Sequence, residues 1–193
     1  MNLVLLPATD PEERRYGVMP ERLDAFPTAV LHHVRFQTMV WYNTAVRENA
    51  VAQIEAFGLS SLVLIGFSKS GLGAWNIARA LPERVAATVI FDAPVTLERR
   101  PGWKADDFYA DDAAWQADLP CRLVTEFKAA MPATHKLILI SGAAFHPAMA
   151  RLSSLLADAL VPHTFLARPA MPHHWQAGWI DEALGIVMGP PMR

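Results

Sequence analysis

The stretch Leu62-Val63-Leu64-Ile65-Gly66-Phe67-Ser68-Lys69-Ser70-Gly71 changes character within a few residues. Its four leading aliphatic residues are typical of a strand buried on both faces of a parallel sheet. The pattern small-x-Ser-x-small follows, with Gly66 and Ser70 as the small residues, and a helical pattern comes next. A nucleophilic serine on a tight strand-to-helix turn needs such small neighbours, so Ser68 is the predicted nucleophile. Ser70 is the poorer candidate because the bulky Leu72 occupies its own downstream small position.

Similar short apolar runs recur along the chain and alternate with helical patterns. The predicted strands are residues 3–6, 62–65, 87–91 and 136–140, with weaker candidates at 29–34 and 163–167. The predicted helices are residues 44–57, 71–81, 147–160 and about 176–187. Strands that alternate with helices of this length indicate βαβ units with right-handed crossovers. We therefore predict an α/β fold, with an open, mostly parallel sheet of about six strands and helices on both faces.

The chain length predicts a single domain over residues 1–193. Residues 96–133 interrupt the alternation of strands and helices. They read either as a small cap over a pocket or as an ordinary helical excursion, and the sequence leaves both open.

At the Ser68 turn the sequence resembles the α/β-hydrolase superfamily, in its small serine hydrolase and esterase forms with little or no lid. The likeness departs from Gly-x-Ser-x-Gly at the last position, where Ser70 replaces glycine. The resemblance implies a nucleophile, an acid and a histidine in that chain order. It also implies a sheet trimmed at its front end, because the chain begins at what corresponds to the third strand of the full fold.

The histidine of this arrangement belongs in a loop before the last helix, where the sequence reads Met171-Pro172-His173-His174-Trp175. An aromatic residue follows the catalytic histidine in the small hydrolases that this segment resembles. His174 is therefore the favoured general base, and His173 is its rival. The residues predicted to line a pocket are Phe67, Phe145, His146, His173 and Trp175.

The acid is harder to place, because the loop over residues 141–147, where the superfamily most often carries it, has no carboxylate. Asp92, at the end of the strand before, keeps the Ser–acid–His order and is the favoured substitute. Its carboxylate would hold the imidazole tautomer and stabilise the imidazolium. Asp10, or a dyad without a carboxylate, are the alternatives.

The oxyanion hole is expected to use two backbone N–H groups. One is that of Lys69, which follows the nucleophile at a helix N-terminus, where the helix dipole favours negative charge. The other is placed at Ala8 or Thr9 in the loop after the first strand, although the His-Gly opening familiar in the superfamily is missing there.

The composition narrows the classes of molecule that the protein is expected to bind. With 17 basic and 19 acidic residues, the formal net charge of −2 gives no reason to expect a nucleic-acid or anionic-membrane partner. No dinucleotide or phosphate-loop signature and no metal-ligand spacing occurs, so we expect neither cofactor nor metal. A single cysteine, Cys121, and a start without a basic n-region lead us to expect a cytoplasmic location.

These features predict a hydrolase that cleaves a carboxylic ester or thioester through an acyl-enzyme intermediate. The same scaffold would also support amide or carbon–carbon bond hydrolysis, because a fold does not decide a function. A degenerate, non-catalytic binding protein is the alternative from another class, and the missing carboxylate after residue 140 is its main support.

Overall fold

The strands form a single parallel sheet in the computed structural model of the chain, which describes residues 1–175 and 177–189. In chain order they are β1 (Asn2–Leu6), β2 (Val30–His33), β3 (Leu62–Phe67), β4 (Val85–Phe91), β5 (Lys136–Ser141) and β6 (Thr164–Ala167). Their order across the 6-stranded sheet is β2-β1-β3-β4-β5-β6, and every neighbouring pair is parallel. The predicted sheet is confirmed, including both of its weaker strands.

Helices connect most of these strands. They are α1 (Thr44–Ala56), α2 (Lys69–Ala80), α3 (Asp112–Ala117), α4 (Val124–Ala130), α5 (His146–Asp158) and α6 (Ala177–Met188), with short 3-10 helices at Ala105–Asp107 and Pro120–Arg122. Gln176, at the predicted start of the last helix, lies outside the described residues. Across residues 1–175 and 177–189, the structure contains no helix of the length and apolar character that crossing a membrane requires.

Both faces of the sheet are covered, which explains why its central strands are apolar at nearly every position. In β1, Val4 and Leu6 face a core shared with α1, α2 and α5, while Leu3 and Leu5 face a core shared with α6. Alternate side chains of a strand point to opposite faces, so a strand covered on both sides has no polar face. The predicted placement of helices on both faces is confirmed.

Residues 96–133, which connect β4 to β5, pack into the same core as α2. The Phe127 ring stacks on Trp75 with their centroids 4.0 Å apart, and Trp115 is fully buried. Arg47 of α1 forms an ion pair with Asp118 of the segment at 2.6 Å. Aromatic packing and this half-buried ion pair join the segment to the helices beneath it.

The topology gathers several loops at one edge of the sheet. The chain adds β2 on one side of β1 and all later strands on the other, which makes a topological switch point beside β1 and β3. Ligands of open α/β sheets bind at the carboxyl ends of the strands near such a point. The pairs Leu6–Gly66 and Phe67–Phe91 bring the loops that follow β1, β3 and β4 side by side.

Candidate active site

Ser68 occupies a strained backbone position between β3 and α2. Its φ of 52° and ψ of −126° lie in a region that side chains other than glycine rarely adopt. Gly66 permits the turn, because a Cβ there would lie 2.2 Å from the backbone oxygen of Ser70. The predicted strand-to-helix turn is thus present, with its serine at the carboxyl edge of the sheet.

Ser70, which stands where the motif usually has glycine, is fully buried and bonded within the turn. Its hydroxyl accepts a hydrogen bond from the backbone N–H of Phe67 at 2.9 Å and donates to the Phe67 carbonyl at 2.8 Å. The Ser70 hydroxyl therefore stabilises the turn. Ser68, which is half-buried, is the serine of the turn whose side chain is partly accessible.

His173 connects Ser68 to Asp92 through both of its ring nitrogens. Its Nδ1 lies 2.7 Å from Asp92 Oδ2, and its Nε2 lies 3.1 Å from Ser68 Oγ. An ionised carboxylate only accepts hydrogen bonds, so Nδ1 carries the proton toward Asp92. In the neutral ring Nε2 is then the acceptor that faces the serine hydroxyl.

The structure replaces the favoured His174 with its rival His173. His174 is exposed, and its backbone N–H donates to the Pro172 carbonyl at 2.8 Å, in a tight turn that separates the two imidazoles. The His173 ring packs 4.5 Å from the centroid of Phe67 and 5.4 Å from that of Phe145. The residue selected by its aromatic neighbour in sequence is therefore not the one that reaches Ser68.

Asp92 is fully buried, and its carboxylate is surrounded by donors. The N–H groups of Gly142 and Phe145 donate to Oδ1 at 2.8 and 2.9 Å, and that of Ala144 donates to Oδ2 at 3.2 Å. Burial raises the pKa of Asp92, but the bonds from His173, Phe145 and Gly142 outweigh it and hold the pKa below its ordinary value. Asp92 is thus ionised at neutral pH.

These donors explain the loop that lacks a carboxylate. In place of an acid, the loop after β5 offers three backbone N–H groups to the acid that follows β4. The backbone of this loop lies close to the Asp92 carboxylate, since a Cβ on Gly142 would lie 2.7 Å from Asp92 Oδ2. Asp92 also has a φ of 36°, so two members of the hydrogen-bonded chain hold strained backbone positions.

The predicted oxyanion-hole residues lie on neighbouring elements. Lys69 is the first residue of α2, so its N–H is among those without an intrahelical acceptor. The loop that contains Ala8 and Thr9 follows β1, the strand that pairs with β3. Tyr42 holds this loop, since its hydroxyl donates to the Pro7 carbonyl at 2.8 Å.

The predicted pocket residues divide into two groups. Phe67, Phe145 and Trp175 cluster around or beneath His173, with the Trp175 and Phe67 centroids 5.2 Å apart. His146 belongs elsewhere, because its Nδ1 lies 2.8 Å from Ser141 Oγ and its ring stacks on Phe165. His146 is thus engaged within the β5–α5 region and makes no described contact with Ser68, Asp92 or His173.

A cavity of about 360 Å³ adjoins the site. Ala8, Thr9 and Trp175 contribute to its wall, whereas Ser68, Asp92 and His173 do not. The cavity therefore shares residues of the loop after β1 with the predicted site, but Ser68 does not line it.

Three residues of the site were missed from the sequence. Gly142 admits the Asp92 carboxylate, Tyr42 holds the loop after β1, and Tyr16 packs its ring 5.7 Å from that of His173. Glycine in the first position after a buried strand was a usable signal for Gly142. Neither tyrosine belongs to a motif, so nothing in the sequence pointed to them.

No protein-family model matches this sequence, and no curated protein does either. Solved structures do share its fold. Est1E from Butyrivibrio proteoclasticus matches with a TM-score of 0.62 at 10% identity, over 97% of this chain and 86% of that one. The S-formylglutathione hydrolase FrmB from Staphylococcus aureus gives 0.56 at 15%, over 97% and 79%.

A ferulic acid esterase matches with a TM-score of 0.52 at 18% identity, over 65% of this chain. The matched part is 51% of that esterase, so this chain spans about half its length. At such low identities the likeness shows the fold and does not extend to the substrate.

Proposed function

We propose that this chain, which has a trimmed α/β-hydrolase fold, is a serine hydrolase that cleaves a carboxylic ester or thioester. The observation that carries the proposal is the continuous chain of hydrogen bonds from Asp92 through His173 to Ser68. Ser68 would be the nucleophile, His173 the general base and Asp92 the acid that orients the imidazole.

The reaction follows from these contacts. Ser68 Oγ attacks the acyl carbon while His173 Nε2 takes the hydroxyl proton, giving a tetrahedral intermediate with a negatively charged oxygen. The Lys69 N–H, with that of Ala8 or Thr9, would hold this oxyanion. His173 then returns the proton to the leaving alcohol or thiol as the acyl-enzyme forms. Water, deprotonated by the same imidazole, attacks the acyl-enzyme and releases the acid and free Ser68.

Two similarities support esters and thioesters as the substrate class. One of the similar structures is named a ferulic acid esterase, and FrmB is named for the hydrolysis of S-formylglutathione, an S-acyl compound. The non-catalytic alternative loses its main support, because the loop after β5 binds Asp92 instead of carrying its own acid. Amide and carbon–carbon substrates belong in the same substrate panel as controls.

Labelling with a fluorophosphonate probe tests the proposal. We expect one adduct, located on Ser68 by mass spectrometry, because phosphonylation requires a serine activated by a neighbouring base. Ser68→Ala should abolish the adduct. Ser61→Ala is the matched control, since Ser61 has a similarly strained φ of 54° and lies before β3, at the opposite end of that strand. Absence of labelling where a known serine hydrolase reacts would contradict the proposal.

The loop after β5 provides a second test. Gly142→Ala places a methyl group 2.7 Å from Asp92 Oδ2, so the carboxylate must shift away from His173. A displacement of about 1 Å in a catalytic constellation costs roughly a hundredfold in rate, and we expect a loss of that order. Labelling rate and ester turnover measure it. Gly185→Ala in α6, where a Cβ meets nothing within 4 Å, is the control that should leave both rates unchanged.

A further inference from the structure

The side chain of Lys69 lies beside the nucleophile and faces an aromatic wall. Lys69 follows Ser68 directly, and its ammonium sits 5.3 Å from the ring centroid of Trp41. Trp41 is buried, and its indole N–H donates to the Trp103 carbonyl at 3.0 Å. The half-buried lysine therefore has the buried Trp41 ring as a fixed surface beside its ammonium.

This ammonium lacks a partner. Among residues 1–175 and 177–189 it makes neither an ion pair nor a hydrogen bond. Asp10 is the nearby carboxylate, and its Oδ1 is held by the Met39 N–H at 2.6 Å. The partial burial of Lys69 removes part of the water that would stabilise its charge.

The surroundings of Lys69 disfavour the charged form of its side chain. Burial lowers the pKa of Lys69 from 10.5 to about 8, with Asp10 raising it and Lys104 lowering it. Lys104 and the exposed Trp103 both have positive φ values, of 61° and 47°, so the adjoining loop is strained as well. An anion bound at the Lys69 ammonium would offset both the desolvation and the repulsion from Lys104.

We infer that the Lys69 ammonium binds a carboxylate group of the substrate, so that the site prefers esters that carry a free acid. The inference deepens the proposed function and rests on it. A monoanionic carboxylate fits better than a phosphate dianion, because Asp10 stands near the same ammonium and would repel the second negative charge.

Binding to a Ser68→Ala background tests the inference without turnover. Isothermal titration would compare monoethyl glutarate with diethyl glutarate, and 4-acetoxybenzoate with its methyl ester, so that the carboxylate lies on the acyl or the alcohol side. A hydrogen bond between charged groups gives about a tenfold to hundredfold preference for the acid in at least one pair. Lys69→Met should abolish the preference and Lys69→Arg should retain it. Lys136→Met, at the amino end of β5, is the matched control that should leave it intact.

A pH profile separates a binding role from a structural one. Because the pKa of Lys69 is about 8, the lysine is charged below that pH and loses its charge above it, and the preference should fade as the pH rises through this range. Asp10 and Lys104 are the charged groups that act on this ammonium, and Lys69→Arg should keep its preference at high pH.

Several results would overturn the inference: equal binding of acid and ester in both pairs, a preference that survives Lys69→Met, or no binding of any of the four probes. None of these depends on whether Ser68 is reactive. Fluorophosphonate labelling of Ser68 without a carboxylate preference would leave the proposed hydrolase standing and remove only its substrate class.

Discussion

Replacing His173 by alanine should lower the kcat/KM for ester hydrolysis by about a thousandfold or more, whereas the same change at His174 should alter it by less than about threefold. Only His173 has its Nε2 within hydrogen-bond distance of Ser68 Oγ, at 3.1 Å. Without that acceptor the serine hydroxyl keeps its proton and stays a weak nucleophile. His174 is exposed and joins neither Ser68 nor Asp92 within the described residues.

The two variants are a matched pair, because they remove the same side chain from adjacent positions. Steady-state kinetics on an activated ester and the rate of fluorophosphonate labelling should fall together in His173→Ala. Since the His173 ring also packs on Phe67 and Phe145, His173→Gln and the melting temperature separate lost chemistry from lost packing. A larger loss in His174→Ala than in His173→Ala would remove His173 from the proposed mechanism.

The sequence alone did not decide between His173 and His174. Both stand in the loop that the chain order of the superfamily requires, so the motif located the segment and not the residue. What selects His173 is a turn at Pro172 and a wall built by Phe67, Tyr16 and Phe145, which come from distant parts of the chain.

The sheet was predictable for a physical reason. A strand covered on both faces must be apolar throughout, so runs such as 62–65 and 136–140 are visible without an alignment. The ends of the strands and helices were harder to predict from the sequence. β3 extends to Phe67 and α2 begins at Lys69, earlier than predicted, because the strained turn at Ser68 takes a single residue. The periodic apolar pattern of α2 starts only after the polar residues of its first turn.

Asp92 was selected by its order along the chain, but its surroundings were not predictable. Gly142, Ala144 and Phe145 donate to Asp92 through backbone N–H groups, which every residue except proline possesses, so no side-chain motif records the contact. The small residues Gly142, Ala143 and Ala144 were the trace that this close approach left in the sequence. The role proposed for the Lys69 side chain was likewise not predicted, because the motif assigns only a backbone N–H to that position.

Changing Asp92 to asparagine should lower kcat by about four orders of magnitude. The amide oxygen can still accept from Gly142 and Phe145, which leaves the amide nitrogen facing His173. Two N–H donors cannot face each other, so the imidazole must switch tautomer and present N–H instead of a lone pair to Ser68. The three side chains would keep their positions, but His173 could no longer accept the Ser68 proton.

Stability provides an independent readout of the same substitution. The folded pKa of Asp92 lies below its ordinary value of 3.8, so the ionised carboxylate stabilises the fold fully above that pH. This contribution is lost as the pH falls through the folded pKa. Asp92→Asn should therefore melt at a lower temperature than the parent at pH 7, and the gap should narrow in acid.

Asp24→Asn is the control, since Asp24 forms only an exposed ion pair with Arg22 and should change neither rate nor melting temperature. If Asp92→Asn lowers the melting temperature but leaves kcat intact, Asp92 is a structural acid that holds the loop after β5, and Ser68 and His173 act as a dyad. If kcat falls by the expected factor while Ser68 labelling slows in parallel, the carboxylate acts through the imidazole, and the hydrogen-bonded chain from Asp92 to Ser68 works as one unit.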